Sequence, residues 1–181
     1  MRKLINAGDE FSALFAAVSR SSWRWECQGD YRSDHELVRR WRGGERTRED
    51  HEERDWVRYI RGLREAGIPF ERVRMLTEPL TDYLAWMLAN TNPNVDAGED
   101  IRWLTENKAR ELGAPDYDFY IFDDDRVVIL NFEDMVLTGA EAIDDEDVVA
   151  EHRAWREKVW PHAVKHREYL FDVIKRGVDG G

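Results

Sequence analysis

A single cysteine, Cys27, stands in 181 residues, which excludes an internal disulfide and any zinc cage built on several thiolates. No apolar run approaches the roughly 18 residues that a membrane span needs. The opening MRKLINAGDE turns polar before a secretory apolar core can form. The expectation is a soluble, cytoplasmic protein with no membrane partner. Also missing are the G-x-S-x-G elbow, the phosphate-binding P-loop, G-x-G-x-x-G and C-x-x-C, so the common hydrolase, nucleotide and redox signatures are absent. An excess of positive charge is lacking too. Against 38 Asp and Glu there are 27 Lys and Arg, a net charge of −11. This argues against a surface that grips nucleic acid as a whole, and direct nucleic-acid binding is therefore expected to be unlikely.

What is present suits one globular domain, with 42% apolar and 36% charged residues. Phe11, Leu14, Phe15 and Val18 recur at helical spacing over residues 9–19. SWRWECQ alternates Trp23, Trp25 and Cys27 with Arg24 and Glu26, the pattern of a strand wet on one face. Asp34 opens a helix that Gly43-Gly44 stops, and residues 45–54 read as a solvated loop or helix lead-in. A second helix runs from Asp55 to Ala66, before Gly67 and Pro69. FERVRML reads as a strand over 70–76 with Arg72 and Arg74 on one face. Thr77, Glu78 and Pro79 then start a helix, which TNPN ends. IRWL is a short strand, and residues 105–115 a helical or irregular crossing. YDFYIF, DDD and RVVILNF spell a hairpin, which MVLT extends to a meander. The acidic run Asp144 to Asp147 starts a long C-terminal helix, broken or kinked at Pro161. The predicted fold is a single α+β domain over 1–181, a mixed, largely antiparallel sheet flanked by helices. Its core spans about 9–172, and residues 173–181 form a flexible tail.

Several groups invite a chemical reading. His162 and His166 share a helix face at four-residue spacing, but no third ligand follows from spacing and no metal is expected. Asp123, Asp124 and Asp125 are better explained as a hairpin turn than as a cation site. Cys27 between aromatics reads as an inert thiol. The arginines from Arg32 to Arg54 are balanced by acids. The most informative set is Arg72, Arg74, Glu78, Asp82, Tyr83, Asn94, Glu99, Asp100, Arg102 and Asp118. If their elements adjoin, opposite charges meet beside a helix start, an arrangement suited to an anion or to a structural network.

RVRMLTEPLTDYL, NVDAGEDIRWL, DYDFYIFDDDRVV and HRAWREKVWPHAV resemble the actinobacterial family of domain of unknown function 6879, from about Phe11 to Tyr169. The positions carrying the resemblance include Phe119, Asp123 and Asp124 beside the set above. The resemblance implies a small accessory or regulatory protein, working with a helix-turn-helix regulator, and implies no established activity and no cofactor. Two functions follow. One is a non-catalytic binding protein using the Arg/Glu/Asp/Tyr face for an anionic ligand or a protein partner. The other is a metal-independent enzyme in which Arg72, Arg74 or Arg102 holds an anionic substrate while Glu78, Asp82 or Glu99 moves a proton. Eight tryptophans add a homo-oligomer to the expected partners if Trp23, Trp41 or Trp86 form an exposed cluster, although most of the eight are expected in the core.

Overall fold

The computed structural model describes residues 1–47 and 54–171. Most of the polar stretch 45–54 and the tail 173–181 lie outside the described residues. The chain forms one α+β domain around an eight-stranded sheet. In chain order the elements are β1 (Arg2–Asn6), α1 (Asp9–Ala16), β2 (Ser22–Glu26), α2 (His35–Arg42), α3 (Asp55–Glu65) and β3 (Phe70–Leu76). They continue with α4 (Asp82–Asn90), α5 (Asn92–Ala97), β4 (Asp100–Thr105), α6 (Glu106–Leu112) and β5 (Phe119–Phe122). Last come β6 (Arg126–Glu133), β7 (Val136–Ile143), the long C-terminal helix α7 (Glu146–Val159) and the short β8 (Val164–Lys165).

The strand order is β1-β7-β6-β5-β2-β3-β4-β8. Among the described residues, β2–β3 and β3–β4 pair in parallel and the other five pairings are antiparallel. The acidic hairpin turn works because Asp123 and Asp124 take positive φ, which Asp tolerates better than most side chains. Asp123 also accepts hydrogen bonds from the backbone N–H groups of Ser19, Arg20 and Ser21 at 3.1, 2.7 and 3.0 Å. The turn is thereby tied to the lead-in of β2.

Both faces of the sheet are covered. On one, Trp23, Trp25, Val73, Leu104, Phe119 and Ile121 pack against α6 and α7. On the other, α3 buries Val57, Ile60 and Leu63 against Phe70, Tyr120, Phe122 and Val128. Each of these α3 side chains stabilises the fold by about 1.5–3 kcal/mol. Farther along the same face, α4 lays Tyr83, Leu84, Trp86 and Met87 over Leu76, Ile101 and Trp103. Between these two apolar clusters lie the polar residues of β2 and β3.

Several sequence expectations need correction. The helix expected from Thr77 begins at Asp82, because the Thr81 hydroxyl accepts from Leu84 N–H at 3.1 Å and caps it, while the Thr77 hydroxyl bonds the Pro79 carbonyl instead. TNPN does end α4 after Asn90, but a further short helix that was not expected, α5, follows at once, with Pro93 in its first turn, where a missing N–H costs nothing. β1 and β8 add two edge strands that no alternation announced. The tryptophans, by contrast, lie mostly in the core as expected: Trp23 and Trp86 are buried and Trp41 is half-buried, so they form no exposed cluster. His162 and His166 do not share a helix face: a short strand separates them, and His162 is exposed while His166 is buried.

Candidate functional site

The site begins with register. β2 and β3 run parallel with Arg24 opposite Arg72 and Glu26 opposite Arg74. Side chains alternate across a strand, so all four project from one face of the sheet centre. Trp23 and Trp25 take the opposite face, where they are buried. The alternation in SWRWECQ therefore does not mark a wet face. Glu26 is 2% exposed, and its face is roofed by helices rather than by solvent.

Three guanidiniums share the Glu26 carboxylate. Oε1 lies 2.7 Å from Arg24 Nη2 and 3.0 Å from Arg72 Nη1, and Oε2 accepts from Arg74 Nε. Burial pushes this carboxyl up, but Arg24, Arg72 and Arg74 outweigh it and hold the group ionised, far below the usual carboxylate range. Arg72 also pairs with Glu99, Nε to Oε1, at 2.6 Å. Glu99 Oε2 accepts from Trp56 Nε1 at 3.1 Å and Asn94 Nδ2 at 2.9 Å. Gly98, at φ 122, turns the chain from α5 into β4 and sets Glu99 at the edge of the network; a side chain there would strike Arg64.

Asp118, immediately before β5, joins from the other side. It accepts from Cys27 N–H at 2.9 Å and from the Tyr31 hydroxyl, and lies 3.7 Å from Arg24 Nη2. Burial raises its pKa despite Arg24, and Glu26 adds to the rise. Burial, then Asp118, drives the Cys27 thiol far above its usual range, so the thiol is no ready nucleophile.

The network borders a cleft of about 270 Å³ whose walls include Arg24, Arg72, Arg74, Tyr31, Trp56 and Tyr120. Arg24 stacks on the Tyr120 ring at 4.7 Å and Arg72 on Trp56 at 5.2 Å. Two guanidinium atoms in this wall, Arg24 Nε and Arg74 Nη1, are buried and donate to no protein acceptor.

Of the residues expected from sequence, Arg72, Arg74, Tyr83, Asn94, Glu99 and Asp118 come together here. Four do not. Asp100 and Arg102 pair with each other at 3.0 Å and stand in register with Glu71 and Val73, which puts them on the opposite face; Arg102 there lies 3.7 Å over the Trp160 ring. Asp82 is exposed and pairs with Arg42, and Glu78 is exposed and accepts from Asn107. Sequence reasoning passed over Arg24, Glu26, Tyr31 and Trp56. Arg-x-Glu in one central strand beside Arg-x-Arg in another was the available signal. Among the described residues, no group of three or more His, Cys, Asp or Glu is placed to hold a metal ion. Nor, among the described residues, is any helix long and apolar enough to cross a membrane.

The architecture is one that DNA-binding and phospholipase D proteins also use. It is similar to TrmBL2, an archaeal chromatin protein with a novel mode of DNA binding (TM-score 0.51, 11% identity, 91% of this chain and 54% of that one). It is similar to Nuc, a phospholipase D family member from Salmonella typhimurium (TM-score 0.55, 8% identity, 91% and 97% of the two chains). NucT from Helicobacter pylori is a third (TM-score 0.50, 13% identity, 91% and 98%). These identities establish a shared fold alone, and the chain spans little more than half of TrmBL2. By sequence, residues 9–171 match the domain of unknown function DUF6879, and the chain belongs to that family. No curated protein matches it in sequence.

The likeness to TrmBL2, a chromatin protein with a novel mode of DNA binding, overturns the expectation that direct nucleic-acid binding is unlikely. A net charge of −11 averages over the whole surface and does not describe any one face.

Proposed function

We propose that the protein is a non-catalytic, regulatory binding module that takes the anionic group of a small ligand at the cleft beside Arg24 and Arg74. One observation carries this reading: Arg24 Nε and Arg74 Nη1 are buried in the cleft wall without an acceptor. An unmet buried donor on a charged group costs about 1–3 kcal/mol or more, and an oxyanion reaching it recovers that cost. Glu26 supports the reading by keeping three like charges side by side before any ligand arrives.

Isothermal titration of the full chain with inorganic phosphate and sulfate at low ionic strength tests it. Saturable binding is expected, with a loss of about tenfold or more in Arg24→Gln. Absence of binding to the folded wild-type chain sinks the reading.

A second reading, a metal-independent enzyme acting on a small anionic substrate, draws support from the likeness to a phospholipase D family member. Release of nitrophenol from bis(4-nitrophenyl) phosphate, abolished in Arg24→Gln, would favour it over a binding module.

A further inference from the structure

The lining of the cleft changes character across the sheet. Arg24 and Arg74 come from β2 and β3, at the sheet centre. Tyr120 follows on β5, and beyond it Leu130 and Phe132 on β6 and Leu137 on β7. The irregularity between Asn131 and Phe132 sets Phe132 opposite Leu137, so both reach the same wall. Phe132 and Leu137 are only half-buried, while Leu130 beneath them is 5% exposed. Neighbouring strands stand about 4.8 Å apart, so about 10 Å separates the arginine on β2 from the apolar strand β6.

We infer that the ligand joins one anionic head to a flat aromatic body, the head on Arg24 and Arg74 and the ring against Phe132 and Leu137. This rests on the anion-binding reading above and adds the substrate class. A bare inorganic anion leaves the apolar half of the cleft wet. An aryl phosphate or aryl carboxylate is of the length that separates the two ends, and its ring suits edge-to-face contact such as Tyr31 and Phe132 already make, with centroids 5.5 Å apart. The cleft of about 270 Å³ has room for a ring with its head.

Two pairs of probes test the inference on the full chain: phenyl phosphate against inorganic phosphate, and benzoate against acetate. The ring is expected to tighten binding by about tenfold or more in the pair whose head fits, and the better pair identifies the head as phosphate or carboxylate. Phe132→Ala should remove the gain, read as the ratio of the two affinities within a pair on that variant. Leu137→Ala supplies the same readout should Phe132→Ala melt early. Equal affinities within both pairs overturn the aromatic class but leave the anion site standing. A ring gain that survives both substitutions overturns it as well, and no binding by any probe overturns both readings.

Discussion

Arg24 on β2 stands directly opposite Arg72 on β3, two like charges in register on adjacent parallel strands. Both reach the same oxygen of Glu26, at 2.7 and 3.0 Å. Like charges opposite one another destabilise a sheet. The shared carboxylate offsets that repulsion here and holds the pair in place beneath the helical roof.

Glu26→Gln removes that carboxylate and leaves three guanidiniums in a covered layer. The expected cost is about 3–5 kcal/mol, the scale for breaking a buried pair from one side. Denaturant unfolding followed by tryptophan fluorescence measures it. A loss below about 1 kcal/mol would show that water already screens the cluster.

The same carboxylate sets an acid limit. Its folded pKa lies far below the ordinary 4.5, so its contribution is complete above that value and drains away as pH falls below it. His166 acts at milder pH. Burial, with Arg167 and Arg74 nearby, lowers it from 6.5 to about 4, while its Nδ1 accepts from Trp103 Nε1 at 2.9 Å. Between pH 6.5 and about 4 the unfolded chain binds the proton that the folded chain refuses, so stability falls with pH across that window. His166→Gln keeps an acceptor for Trp103 and should flatten the profile of melting temperature there, leaving the steeper loss below pH 4.5.

Thr81→Ala removes the cap of α4 and the hydroxyl that donates to the Gly29 carbonyl. A loss of about 1–2 kcal/mol is expected in thermal unfolding. Thr77→Ala, outside the helix, should cost much less. The reverse order would restore the earlier helix start.

Gly139→Ala would place a methyl 2.7 Å from the Ile5 carbonyl oxygen. β1 must then retreat from β7, at an expected cost of about 1–3 kcal/mol. Hydrogen exchange should show amides of residues 2–6 losing protection while those of β2 and β3 keep theirs.

The fold class was legible because its signals are local: period-two runs at 70–76 and 119–133, and an acid-capped helix after Asp145. Arg72 and Arg74 were legible for the same reason. Arg24 and Glu26 were misread because alternation with tryptophan separates two faces but does not tell water from a helical roof. Asp100 and Arg102 look like natural partners of Arg72 along the chain, yet the β3–β4 register sends them to the other side of the sheet. Tyr31 and Trp56 lie outside any strand pattern, and only the packing of distant segments brings them to the cluster.

Tryptophan and charge alternate through β2, and each kind is claimed by a different face. Sliding this strand by one residue would thrust two indoles among the arginines and two ionised groups into hydrocarbon. The register of the central pair is therefore strongly specified. The arrangement of the cleft wall is thus set by two tryptophans of β2 that face away from it.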